Sequence, residues 1–110
     1  MSTQVKKQID KRSAPEWDLL ETKRIVLELL TPYAVSVYLF GSRANDTMTR
    51  SSDIDIAVLS KKPLPAGLLS KIREKLEDSQ ILYNVDLVDL NEVSADFKEK
   101  VIREGIIWKD

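Results

Sequence analysis

Leu39-Phe40-Gly41-Ser42-Arg43-Ala44-Asn45-Asp46-Thr47-Met48-Thr49-Arg50-Ser51-Ser52-Asp53-Ile54-Asp55-Ile56-Ala57-Val58 ends one apolar run in a Gly-Ser pair and, ten residues later, opens another with Asp-x-Asp. Alternation along a strand puts Asp53 and Asp55 on one face, about 7 Å apart at the backbone, and Ile54, Ile56 and Val58 on the other. Two carboxylates that close repel each other unless a cation lies between them, so the pair asks for a metal. Magnesium suits it, because that ion shares its shell among carboxylate, water and phosphate oxygens. The bland alternative is a pair of acids on the wet face of an edge strand.

Upstream, Val35, Val37 and Leu39 alternate with Ser36, Tyr38 and Phe40 until Gly41 stops the run. Glycine permits a tight turn and a close backbone approach to a ligand. Ser42 then stands where a helical turn offers free amides to phosphate. Read singly, the pair is a glycine turn with a serine cap. Read with the aspartates, it predicts a site for a nucleoside triphosphate with magnesium.

Gly41-Ser42, ten residues and Asp53-x-Asp55 on an apolar strand resemble the DNA polymerase beta-like nucleotidyltransferase superfamily, most closely its minimal nucleotidyltransferase (MNT) branch. The resemblance runs from about Val26 to Trp108 and includes Val85-Asp86-Leu87-Val88-Asp89-Leu90. It implies a third carboxylate on a neighbouring strand, which by position in the family's pattern is Asp86, a metal ligand and the base for the acceptor hydroxyl. Period-two alternation separates Asp86, Val88 and Leu90 from Val85, Leu87 and Asp89, so without a bulge only one of the two acids joins the site. Asp89 also has a structural reading, near the strand end just before Asn91. Asn45 and Asp46 depart from the pattern, since many relatives carry glycine or a basic residue there.

With 110 residues, 43% hydrophobic and 32% charged, the chain reads as one soluble domain, too short for a second substrate domain. We divide it into a polar arm over residues 1–12 and a single domain over 13–110. The absence of histidine excludes imidazole catalysis, and without cysteine there is no disulfide or zinc-thiolate chemistry. No apolar run is long enough to cross a bilayer and the N-terminus lacks a signal-peptide core; the lack of cysteine permits a reducing cytoplasm, which is the expected location. Seventeen basic against 18 acidic residues leave no broad basic footprint, arguing against nucleic acid as a direct substrate. Arg43, Arg50, Lys61 and Lys62 offer at most a local positive rim.

The remaining pattern predicts an α/β (α+β) fold, a small mixed sheet with helices against one face and the carboxylates on the other. A helix begins at a Ser13 cap with Pro15 early in it, carries Trp17, Leu19, Leu20, Val26, Leu27 and Leu30, and ends at Thr31-Pro32. Leu68, Leu69, Ile72 and Leu76 mark a second helix that ends before Tyr83. A last helix starts near Asn91 or Ser94, uses Phe97 and Val101, and stops at Gly105. Ile106-Ile107-Trp108 forms a short strand or a packed tail.

The resemblance further implies a chemistry. Gly41, Ser42 and neighbouring amides hold the β and γ phosphates of ATP, while Asp53, Asp55 and Asp86 hold two magnesium ions. Arg43 either neutralises phosphate or makes a surface ion pair. MNT proteins pair with a separately encoded, all-helical HEPN protein, so the implied role is an antitoxin that moves AMP to a tyrosine hydroxyl of its partner, within a homo- or hetero-oligomer. Two alternatives stand beside it: a non-catalytic nucleotide-binding subunit acting by contact, and an antibiotic-type small-molecule nucleotidyltransferase.

Overall fold

A computed structural model describes residues 15–41 and 53–110. Helix α1 (Pro15–Leu30) leads into strand β1 (Val35–Phe40), followed by β2 (Ile54–Ser60). Helix α2 (Leu68–Glu77) crosses to β3 (Val85–Asp89); a 3₁₀ turn (Leu90–Glu92), α3 (Ala95–Glu104) and β4 (Ile106–Lys109) complete the order. Ser13 and the arm over residues 1–12 lie outside the described residues.

The four strands are ordered β3-β2-β1-β4. β1 runs antiparallel to β2 and to β4, whereas β2 and β3 are parallel, so α2 is the crossover between parallel neighbours. The sheet is therefore mixed. The carboxyl end of β1 meets the amino ends of β2 and β3 at one end of it, which gathers the Gly41 turn, the Asp-x-Asp segment and Asp86 there.

Alternation decides what each face buries. Val35, Val37, Leu39, Ile54, Ile56, Val58 and Leu87 point to one side and close the main core against Ile25, Val26 and Leu30 of α1 and Ile72 and Leu76 of α2. Each large side chain fully buried there contributes roughly 1.5–3 kcal/mol of transfer free energy. Tyr38 and Ala57 face the other way and pack with Leu90 and Val101, with Phe40, Leu59 and Val88 around them. Thus the α+β class holds, with a finer division: α1 and α2 cover one face, and α3 covers the far part of the face that carries the acids.

Helix ends follow local chemistry. Pro32 follows the last turn of α1, where the Thr31 amide donates to Leu27 O. Ser94 caps α3, its hydroxyl accepting the Phe97 amide at 3.2 Å. Gly105 ends α3 because a Cβ there would lie 2.6 Å from the Val101 carbonyl oxygen and 3.2 Å from that of Leu39. Only glycine lets the chain turn so tightly from α3 into β4 against β1.

Candidate active site

A row of register partners crosses the sheet at the Gly41 end: Phe40 opposite Asp55 on β2, and Asp55 opposite Asp86 on β3. Neighbouring strands stand about 4.8 Å apart, so the Asp55 and Asp86 carboxylates issue side by side from one face. Asp53 precedes the row by two residues and shares the face of Asp55. The parallel ladder is anchored there, since the Ile54 amide donates to the Asn84 carbonyl at 2.9 Å.

The site is graded from apolar to wet. Asp55 is half-buried, while Asp53 and Asp86 are exposed. On its inner side the row ends at Phe40, whose ring meets that of Phe97 edge to face at 5.7 Å and 84°. This contact brings α3 against the floor of the site.

Gly41 stands directly beyond Phe40 with φ +79°, a left-handed conformation that other residues rarely adopt. A Cβ on it would run into Oδ2 of Asp55 and sit 3.2 Å from its Cγ. The space a side chain would take is thus filled by an aspartate of the Asp-x-Asp pair. Turn and carboxylate, separate motifs in the sequence, are in contact in space. Ser42 and Arg43 lie outside the described residues, as do Asn45, Asp46 and Arg50.

Asp89 is engaged elsewhere. It is the register partner of Val58, on the opposite face from Asp55 and at the opposite end of β3 from Asp86. Its Oδ1 accepts the Asn91 amide at 2.9 Å, starting the 3₁₀ turn. Asn91 Nδ2 in turn donates to Ser60 Oγ at 2.8 Å, tying that turn to the end of β2.

Among the described residues, no three acidic side chains gather closely enough to form a metal cage by themselves. The donor set nevertheless fits a hard divalent ion that takes the rest of its shell from phosphate and water: carboxylates on one face, beside a turn that a Cβ would fill.

A cleft of about 510 Å³ adjoins the row, lined by Asp53 and Asp86 together with Arg73, Leu82, Tyr83 and Asn84. Our reading of the sequence did not single out these last four. The signal was the run Ile81-Leu82-Tyr83, which places three large apolar residues together in a connector.

The polymerase beta nucleotidyltransferase family model, described as "Polymerase beta, Nucleotidyltransferase", matches residues 27–109. The chain belongs to that family. A Haemophilus influenzae protein named "Probable protein adenylyltransferase MntA" is 33% identical over 93 residues, covering 84% of this chain and 80% of that one. Among solved structures, a toxin-antitoxin complex with AMP-PNP contains a chain similar at TM-score 0.62 and 34% identity, covering 78% of this chain and 71% of that chain. Another is a tri-AMPylated Shewanella oneidensis HEPN toxin in complex with MNT antitoxin, at TM-score 0.57 and 29% identity, covering 81% and 70%. The nucleotidyltransferase fold is thus shared across the sheet and helices described above. No described helix is long and apolar enough to cross a membrane.

Proposed function

We propose that this chain transfers AMP from magnesium ATP to a hydroxyl, most simply a tyrosine hydroxyl, of a HEPN-type toxin partner in the cytoplasm, and so acts as its antitoxin. The observation that carries this reading is the pairing of Asp55 with Asp86 beside the left-handed Gly41, whose missing side chain leaves room for the Asp55 carboxylate. Support comes also from the similar solved complexes, one with AMP-PNP and one with an AMPylated HEPN toxin.

In this reading Gly41 lets the backbone approach the β and γ phosphates, and Ser42 adds its amide and hydroxyl; Arg43 is the nearest cation in sequence. Asp53, Asp55 and Asp86 would hold magnesium. When bound, magnesium neutralises phosphate charge and lowers the pKa of a coordinated hydroxyl. The chain's own residues do the rest. Asp86, exposed on the outer strand, accepts the proton of the acceptor hydroxyl. The hydroxyl oxygen forms a bond to the α-phosphorus as the bond to the bridging oxygen breaks, and the electron pair leaves with pyrophosphate. Half-buried Asp55, register partner of Phe40 and set against Gly41, is the carboxylate held closest to the turn that would carry the phosphates.

The test is the intact mass of the co-encoded HEPN-type protein after incubation with this chain, ATP and magnesium. AMP adducts on tyrosine are expected, and none with the Asp53→Ala/Asp55→Ala double variant. A partner that stays unmodified yet is inhibited equally by that variant would replace the enzyme with a contact inhibitor.

A further inference from the structure

We propose that the cleft outside β3 receives the acceptor: a tyrosine-bearing segment of the partner protein enters it side chain first and packs on Leu82. This rests on the reading of AMP transfer to a protein hydroxyl.

The strand order fixes the direction. Across the sheet, Gly41 at the end of β1 is followed by Asp55 on β2 and Asp86 on β3, and β3 is the outer strand. In-line displacement requires the nucleophile to approach from the side opposite the leaving group. With the β and γ phosphates held at Gly41, pyrophosphate departs toward β1, and the acceptor must arrive from beyond Asp86. The cleft lies on that side. Its walls come from β3, the end of α2 and the connector between them, together with Asp53.

Three features say what fits. Leu82 is 63% exposed although Ile81 and Tyr83 on either side pack against the main core, so the connector turns one apolar side chain outward at the cleft. A volume of about 510 Å³ takes an aromatic side chain with some flanking backbone. Arg73 Nη2 donates to the Leu87 carbonyl at 2.8 Å, which occupies the outer edge of β3 and disfavours an added strand there. Leu82 and Arg73 line the same cleft as Asp53 and Asp86, so an aromatic side chain seated there would have its hydroxyl on the carboxylate side.

The decisive experiment uses this chain with its co-encoded HEPN-type partner. Leu82→Glu is expected to raise KM for the partner about tenfold or more, with KM for ATP changed less than about twofold and kcat at saturating partner near wild type. A rise in KM for ATP instead would put the nucleobase in the cleft and overturn the proposal, as would unchanged KM for both. Leu82 replaced by a benzophenone amino acid gives a second readout that needs no catalysis. Irradiated without ATP, it should cross-link to the partner within a few residues of a tyrosine; cross-links to sites remote from any tyrosine, or none, overturn the docking. If wild type transfers no AMP while this cross-link forms, the chemistry falls and the docking surface stands.

Discussion

Asp55 and Asp86 are direct register partners on parallel strands, whereas Asp89, three residues further on, pairs with Val58 on the opposite face. The two acids of β3 are therefore expected to respond oppositely to substitution. Asp86→Asn should lower AMP transfer by about 10²-fold or more, the usual worth of a positioned base, with little change in thermal stability because the side chain is exposed. Asp89→Ala removes the acceptor of the Asn91 amide and should cost about 0.5–2 kcal/mol while transfer persists. Paired rate and melting measurements on the two variants check this; an active Asp86→Asn enzyme would remove Asp86 from the mechanism.

Much of this arrangement was legible because strand alternation is a local signal. Val35 to Phe40 and Ile54 to Val58 carry it, and their aspartates and apolar residues separate as the pattern requires. The pairing of Asp55 with Asp86 was not legible from β3 alone. Both acids of that strand satisfy period two, and register across a crossover is set by how α2 docks, through Ile72 and Leu76, rather than by neighbours in sequence. The side taken by α3 was hidden for a similar reason. Phe97 and Val101 define an apolar stripe without naming its partner, and the tight turn at Gly105 directs them onto Tyr38, Phe40 and Ala57. In the run Ile81-Leu82-Tyr83, only packing decides which of three apolar residues is left outside.

Gly105→Ala tests how far that turn is fixed. The added methyl would meet backbone oxygens of Val101 and Leu39 rather than a yielding side chain, so relief requires moving α3 or β1. A loss of about 1–3 kcal/mol is expected. For a domain of this size, that corresponds to a fall in Tm of roughly 4–8 °C per kcal/mol. Thermal unfolding followed by circular dichroism measures it directly.

Surface charge should matter little. Arg24 donates to both carboxylate oxygens of Glu21 at 3.1 and 2.6 Å, and these hydrogen bonds hold the glutamate's pKa below its ordinary value. A group with a lowered folded-state value stabilises above its unfolded value, and the contribution is lost as pH falls through the lowered one. Glu21→Gln should therefore differ slightly from wild type at pH 7 and converge with it in acid. High salt should shrink even the neutral-pH difference, because Arg24 is exposed and Glu21 only half-buried. Melting curves across pH and salt provide the comparison.

Gly41→Ala strikes the site through geometry alone. Alanine at φ +79° pays about 1–2 kcal/mol for the left-handed conformation, a cost that thermal melting would register. The larger effect is local, since the new Cβ occupies the place of the Asp55 carboxylate and must push it off the face it shares with Asp86. A misplacement of about 1 Å in a positioned catalytic group can cost about 10²-fold in rate. AMP transfer should therefore collapse further than the stability loss explains, with magnesium dependence shifted to higher concentration as the ligand set loosens. Measuring transfer against magnesium concentration, well below the variant's Tm, separates the two effects. A variant that is merely less stable, with wild-type magnesium dependence, would mean that the contact between Gly41 and Asp55 is packing rather than part of the nucleotide site.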